Sequence, residues 1–259
     1  MKPNRFQQVL GEGKVPVGHM IVEFGTRGIA QIVEAANLDF VIIDMEHGSF
    51  TQAEAADLIA WFKATTIAPF VRIPQIDRHF VARLMDAGAL GIMAPDVESA
   101  AAAQTLVDAA KYPPLGRRGP TVGLANTDFK PVTSAEFMPY SNANTTIICQ
   151  IESQAGLDNL EAIAATPGLD VLWVGQNDLS QSLGITGQFQ HERFLAALRQ
   201  VVGAAKRHHL AVGVQPRDLK QAQEWLAMGF NVLSFSSDLN VYRETLTKAV
   251  ADLRALIGG

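Results

Sequence analysis

The sequence predicts an α/β protein that forms a single (β/α)8 barrel, and three observations support this fold. The 259 residues include 48% hydrophobic and 18% charged side chains, enough apolar material for one large core and too much for a disordered chain. Short apolar runs alternate with longer stretches whose apolar positions recur every three to four residues, as βα units do. Eight such units follow one another, which favours a closed TIM barrel spanning residues 1–259 over an open sheet.

Each predicted strand is a short apolar run followed by a helix-like segment. The strands are expected at residues 17–23, 40–44, 68–73, 91–95, 146–151, 170–174, 211–214 and 231–235. The segment 52–64 is typical of the helices, because four apolar residues fall on one face: Ala55, Leu58, Ile59 and Phe62. Gly88 and Gly229 each follow a predicted helix, where a left-handed cap favours glycine.

One connection is longer than the others. Residues 112–144 begin with prolines and glycines and continue with polar residues, so we expect a long loop after strand four rather than a domain boundary. In a (β/α)8 barrel we expect a loop after strand four at the catalytic, carboxyl end, where it would cover the site or contact a neighbouring subunit.

Composition and charge indicate which binding partners and which cellular compartment to expect. The formal net charge is −5 and no basic stripe is present, so neither nucleic acid nor a membrane is expected as a partner. Residues 1–16 lack the apolar stretch of a signal peptide, and no segment approaches a membrane span. The single cysteine, Cys149, lies in an apolar run and is expected to be a packed thiol. A reducing, cytoplasmic setting is therefore expected.

Two carboxylates follow neighbouring predicted strands. Glu152 and Asp178 are about one βα repeat apart, so both side chains should reach the same rim of the barrel. Two unneutralised carboxylates repel each other unless they share a proton or bind a cation, and oxygen-rich surroundings favour Mg²⁺ or Mn²⁺. The alternative is that each residue caps a helix or turn.

A histidine and an arginine end two further strands. His47 follows Asp44 after strand two, where a carboxylate can orient the ring for proton transfer near neutral pH. The alternative is a hydrogen-bonded loop histidine. Arg72 ends strand three in an apolar setting and must be paired, either in a structural bridge or with a substrate carboxylate or enolate oxygen.

Six segments in order resemble one known family, the HpcH/HpaI aldolases, which are metal-dependent class II pyruvate aldolases related to citrate lyase β subunits. The resemblance extends from about Val17 to the last helix. The segments are IDMEH (43–47), VRIP (71–74), LMDAGA (84–89), YPPLGRRG (112–119), QIE (150–152) and GQNDLS (175–180). Met45, Gln176 and Asp96 depart from the usual pattern, which leaves substrate identity open.

The resemblance implies roles for individual residues. Glu152 and Asp178 would bind Mg²⁺, Mn²⁺ or Co²⁺, and Asp178, Gln150 and the backbone near Asn177 would contact the substrate. His47 would transfer the proton and Arg72 would stabilise an enolate oxygen. The family also has an acid that supports its histidine: the LMDAGA match indicates Asp86, whereas position along the barrel favours Asp44, and both stay open. Arg118 is a candidate for a distal substrate carboxylate, or else a loop charge or subunit contact.

The implied activity is reversible cleavage of a 4-hydroxy-2-oxo acid to pyruvate and an aldehyde. Candidate substrates are 2-keto-3-deoxy sugar acids or compounds like 4-hydroxy-2-oxoheptanedioate. The family assembles as oligomers, so a homotrimer or homohexamer is expected, and the amphipathic segment 241–257 could serve such packing. A CoA-ester lyase, an oxaloacetate decarboxylase and a catalytically silent barrel remain alternatives.

Overall fold

The computed structural model describes residues 2–258 and contains a closed barrel of parallel strands in the order β1 to β8, with β8 paired to β1. This confirms the predicted (β/α)8 TIM barrel; Met1 and Gly259, included in the predicted domain, lie outside the described residues. The strands are β1 (Val17–Ile21), β2 (Phe40–Asp44), β3 (Ala68–Arg72), β4 (Gly91–Ala94), β5 (Thr146–Ile151), β6 (Val171–Val174), β7 (Ala211–Val214) and β8 (Val232–Ser237).

Helices follow the strands and form the outer layer. They are α1 (Arg5–Gly11), α2 (Ile29–Glu34), α3 (Gln52–Phe62), α4 (Arg78–Ala87), α5 (Ala100–Ala110), α6 (Ser134–Asn144), α7 (Gln154–Asp158), α8 (Leu160–Ala164), α9 (Gln176–Ser182), α10 (Glu192–Arg207), α11 (Leu219–Met228) and α12 (Asp238–Leu256). Gly88 and Gly229 end α4 and α11 with φ of 103° and 113°, which confirms the predicted left-handed caps.

Successive side chains along each strand point to opposite faces of the sheet, and this produces two separate apolar layers. Side chains that point outward pack against the helices, and those that point inward fill the barrel. The inner layer is a separate buried cluster that includes Met20, Phe40, Ile42, Phe70, Met93, Ile148, Val171, Trp173 and Val232. The filled interior leaves the carboxyl ends of the strands as the place where inward-pointing polar residues can gather.

Helix α1 closes the amino-terminal end of the barrel. Phe6 is 1% exposed and packs edge-on against Phe40 and Phe70, with ring centroids 5.2 and 5.1 Å away. Asn4 caps α1, and its side-chain amide donates to the Leu90 carbonyl and to the Thr146 hydroxyl. These contacts attach the start of the chain to strands from its middle.

The long connection between β4 and β5 lies elsewhere than expected. Helix α5 first returns the chain from the carboxyl end of β4 towards the amino-terminal end of the barrel, and the irregular stretch begins only there. Lys63, just past α3, contacts this stretch at the Ala125 carbonyl and at Asp128. The last third of residues 112–144 forms helix α6, whose start is stabilised by a capping box between Thr133 and Glu136. The expectation of a loop reaching residue 144 over the catalytic end is therefore wrong.

Helix α12 leaves much of its apolar surface exposed. Its exposed apolar side chains include Leu239, Val241, Tyr242, Leu246, Val250, Leu253 and Leu256. An apolar cavity of about 460 Å³ separates the first turns of α12 from α2, where Ile32 is 67% exposed. No helix within residues 2–258 is both long and apolar enough to cross a membrane.

We expect Phe6→Ala to lower the free energy of unfolding by about 3–5 kcal/mol, because the change leaves a cavity among buried aromatic rings. Urea denaturation measures this loss. Gln8→Ala, on the exposed side of α1, is the matched control and should change stability by less than about 0.5 kcal/mol. Equal stability of the two variants would contradict the role of α1 in closing the barrel.

Candidate active site

Two adjoining cavities open at the carboxyl ends of the strands. One, of about 450 Å³, is lined by acidic and polar residues that include Glu46, His47, Asp96, Glu152 and Asp178. The other, of about 290 Å³, is lined by residues that include Asp44, Arg72, Gln150, Trp173 and Asn177. His47 and Asp178 line both cavities, so the two are parts of one site.

Arg72 is anchored by two acids from the end of β2. Its Nε and Nη2 atoms donate to the two Asp44 carboxylate oxygens at 2.9 and 2.7 Å, and Nη1 lies 2.9 Å from Glu46 Oε2. The Arg72 side chain is 10% exposed and that of Asp44 1%. Asp44 Oδ1 also accepts the backbone N–H of Glu46 at 3.0 Å, so this carboxylate shapes the loop after β2.

Glu152 lies at the centre of the acidic cavity. One of its carboxylate oxygens accepts the backbone N–H of Asp96 at 2.7 Å, and the other accepts the Gln150 side-chain amide. The absence of a side chain at Gly175 makes room for this arrangement, because a Cβ there would overlap the Glu152 carboxylate. Burial raises the pKa of the Glu152 carboxyl to about 7, in spite of these two hydrogen bonds.

Glu46, Asp96 and Glu152 form an acidic cluster that could hold a metal ion, since one oxygen of each lies within 4.8 Å of the others. Burial also raises the pKa of Glu46, against the effect of Arg72. The donors are all carboxylate oxygens, which suit Mg²⁺ or Mn²⁺. Asp178 faces the same cavity from the first turn of α9 but is not a member of this cluster.

The ring of His47 is accessible and does not contact either acid expected to support it. Its side chain is 66% exposed, and its Nε2 atom lies 3.9 Å from Glu46 Oε1. In His47, Asp44 contacts only the backbone N–H, at 3.4 Å. Both carboxylate oxygens of Asp44 accept hydrogen bonds from Arg72. The nearest acid to the ring is therefore Glu46.

Asp86 and Arg118 lie away from the site. Asp86 falls in the last turn of α4, and Arg118 belongs to the stretch after α5, so both are near the amino-terminal end of the barrel. They form an ion pair at 2.5 Å, and the Arg118 side chain is 1% exposed and stacked over the Tyr112 ring. Within one chain, therefore, neither Asp86 nor Arg118 lines the two cavities of the site.

Some residues of this site are not predicted by the sequence. Glu46 and Asp96 are not among the predicted metal ligands, although Glu46 precedes His47 and Asp96 lies two residues after the end of β4. Gln215 follows β7 and Asn240 lies in the first turn of α12; both line the smaller cavity, and isolated amides such as these form no sequence pattern.

Comparison with known sequences identifies relatives over the whole barrel. The profile of the HpcH/HpaI aldolase/citrate lyase family matches residues 22–245. The 5-keto-4-deoxy-D-glucarate aldolase of Klebsiella pneumoniae is 31% identical over 250 residues, which cover 96% of each chain. The enzyme of the same name from Shigella sonnei is 32% identical with the same coverage.

Solved structures include close matches to this barrel. An HpcH/HpaI aldolase from Desulfitobacterium hafniense superimposes with a TM-score of 0.91 at 35% identity, covering 96% of both chains. An HpcH/HpaI aldolase/citrate lyase family protein from Burkholderia cenocepacia gives a TM-score of 0.88 at 29% identity, covering 97% of this chain and 99% of the other.

The raised pKa of Glu152 predicts a pH-dependent affinity for divalent ions. Below pH 7 the carboxyl is mostly protonated, so an ion must displace the proton, and the affinity should rise about tenfold in total between pH 6 and pH 8 and level off above pH 8. Calorimetric titration with Mn²⁺ between pH 6 and 8.5 measures this. Glu152→Gln is the control, in which the affinity should be weak and nearly independent of pH. Equal affinity of the unaltered protein at pH 6 and pH 8 would contradict the assignment.

Proposed function

The chain belongs to the HpcH/HpaI aldolase/citrate lyase family and is a lyase of the aldolase type, and from this premise we propose that it cleaves a 2-keto-3-deoxy sugar acid reversibly to pyruvate and an aldehyde. The observation that carries the proposal is the pairing of Arg72 with Asp44 beside the acidic cluster of Glu46, Asp96 and Glu152. A fixed cation and a set of cation-binding oxygens thus face one site, as an enolate intermediate needs.

We assign the metal site to Glu152 and Asp178, with Glu46 and Asp96 completing its acidic wall. The oxygen donors and the buried, raised-pKa carboxyl of Glu152 fit a hard divalent ion, and Mg²⁺, Mn²⁺ and Co²⁺ are the candidates. When bound, such an ion supplies a Lewis acid that stabilises negative charge on the 2-keto oxygen of the substrate.

Arg72 stabilises the same developing charge from the barrel side. Asp44 holds the guanidinium at Nε and Nη2, so the group is already oriented and reorganises little as the carbon–carbon bond breaks. Gln150 lines the cavity around this position, and with the backbone near Asn177 it contacts the pyruvate half of the substrate.

His47 transfers the proton. In the cleavage direction it takes the proton of the 4-hydroxyl group, the bond between C3 and C4 breaks, and the electron pair forms the enolate of pyruvate while C4 becomes an aldehyde. His47 then returns the proton to C3 of the enolate, which completes pyruvate. The ring is exposed, and its Nε2 atom lies 3.9 Å from Glu46 Oε1.

We further propose that the enzyme is a homotrimer or homohexamer that acts in the cytoplasm. The exposed apolar face of α12 and the apolar cavity beside α2 together supply material for a subunit contact. A single buried cysteine, which has no partner for a disulfide within the chain, is in keeping with a reducing compartment.

Metal removal should abolish the activity. Pyruvate released from 5-keto-4-deoxy-D-glucarate is measured with lactate dehydrogenase as the coupling enzyme; EDTA should reduce the rate at least 100-fold, and Mg²⁺, Mn²⁺ or Co²⁺ should restore it. Glu152→Gln should stay inactive after metal is added, whereas Glu12→Gln, at an exposed acid just past α1, should keep the activity. Turnover that is insensitive to EDTA would contradict the mechanism.

Subunit assembly should depend on α12. Light scattering is expected to give three or six times the chain mass of 27.9 kDa. Leu246→Glu places a charge on the apolar face and should lower that mass, while Lys248→Glu, on the opposite face of the same helix, should not. A monomeric unaltered protein would rule out this assembly.

A further inference from the structure

The smaller cavity of the site, beside the acidic cluster, has one end that plays no part in the mechanism proposed above. Gln176, Asn177, Gln215 and Asn240 line it, and neutral amides of this kind bind hydroxyl groups well. They carry no charge, however, and cannot neutralise a second carboxylate on the substrate. A diacid substrate would therefore need a cation at this end of the site.

Arg217 lies at this place, three residues after the end of β7. Its Nη2 atom is 3.5 Å from the side-chain oxygen of Asn177, which lines the cavity. Its guanidinium carbon lies 4.1 Å from the centroid of the Phe189 ring, in a cation–π contact with a buried aromatic side chain. The guanidinium is thus supported from one side by Phe189 and directed towards the cavity mouth by Asn177.

The backbone that carries Arg217 is also held in place. The Gln176 side chain donates to the Gln215 carbonyl at 2.7 Å, and the Gln215 side chain donates to the Ser236 carbonyl at 2.6 Å. The backbone N–H of Arg217 itself donates to the Gln221 side chain at 2.8 Å. These bonds connect the ends of β6, β7 and β8, so the position of Arg217 relative to the cavity is defined.

The charge of Arg217 is available to a ligand. Within residues 2–258, no carboxylate lies within 4.0 Å of its guanidinium, whereas Arg72, the cation at the floor of the same site, is paired with both Asp44 and Glu46. Arg217 is also exposed, so it can meet a ligand without breaking an internal ion pair. A guanidinium binds a carboxylate well through two parallel hydrogen bonds.

We propose that Arg217 binds the distal carboxylate of the substrate and so makes the enzyme selective for diacids. This inference rests on the proposed function, since it assumes that the pyruvate half occupies the end near Arg72 and Glu152. Arg118, the sequence candidate for this role, is engaged with Asp86 near the other end of the barrel.

The test compares two substrates that share the 2-keto-3-deoxy acid half and differ at the distal end, in the terminal group and in the configuration of the neighbouring C5. 5-Keto-4-deoxy-D-glucarate carries a carboxylate there, and 2-keto-3-deoxy-D-gluconate carries a hydroxymethyl group. In Arg217→Gln, kcat/KM should fall about tenfold or more for the diacid, mainly through KM, and change less than about twofold for the monoacid. Arg217→Lys keeps the charge and should restore part of the diacid activity. Arg199→Gln, an exposed arginine on α10, is the control and should leave both activities unchanged.

A binding measurement separates failure of this inference from failure of the proposed function. D-Glucarate and D-gluconate lack the keto group needed for cleavage, so calorimetry with each reports on Arg217 without turnover. Weaker binding of D-glucarate alone in Arg217→Gln supports the inference even if no cleavage is found, in which case the proposed function fails. Loss of both activities in parallel, or unchanged diacid activity and D-glucarate binding, overturns the inference.

Discussion

The bidentate pairing of Arg72 with Asp44 is the interaction on which the rest of the site depends. The two residues are register partners at the ends of β3 and β2, and both side chains point into the barrel. A slip of one residue in either strand would turn one of them outward and leave the other as an unpaired buried charge, which is costly. The register of the barrel and the chemistry of the site are therefore specified together. The same carboxylate also accepts the backbone N–H of Glu46 and so places that residue and His47 at the rim.

Charge balance explains why this rim is suited to a cation. Four carboxylates, those of Asp44, Glu46, Asp96 and Glu152, lie at this rim, and Arg72 pairs with two of them, Asp44 and Glu46. Burial raises the pKa values of Glu46 and Glu152, so that Glu152 is partly protonated near neutral pH and the rim carries less negative charge. A divalent ion removes the need for that proton. The hydrogen bonds from Gln150 and the Asp96 backbone keep the Glu152 carboxylate oriented in either state.

Much of the fold could be predicted from sequence because it depends on local patterns. The bounds of β2, β5 and β7 agree with the apolar runs, since a strand inside a barrel is buried on both sides. Glu152 and Asp178 face one cavity because the carboxyl ends of parallel strands converge. What the sequence does not predict are long-range contacts: the ion pair of Asp86 with Arg118 joins α4 to the stretch beyond α5, and α5 carries that stretch to the amino-terminal end of the barrel. No periodicity within a segment reports such contacts.

The closure of the barrel by α1 has a consequence for how the chain folds. Asn4 bonds to Thr146, and Phe6 packs on β2 and β3, so the first helix reaches its final position only after more than half of the chain is available. During synthesis on the ribosome, Phe6 and Val9 would stay exposed until β5 has emerged, which lengthens the period in which chaperones can bind this segment. The high sequence separation of these contacts also places the docking of α1 among the slow, late steps of folding. The same helix that seals the finished barrel is therefore a vulnerable part of the nascent one.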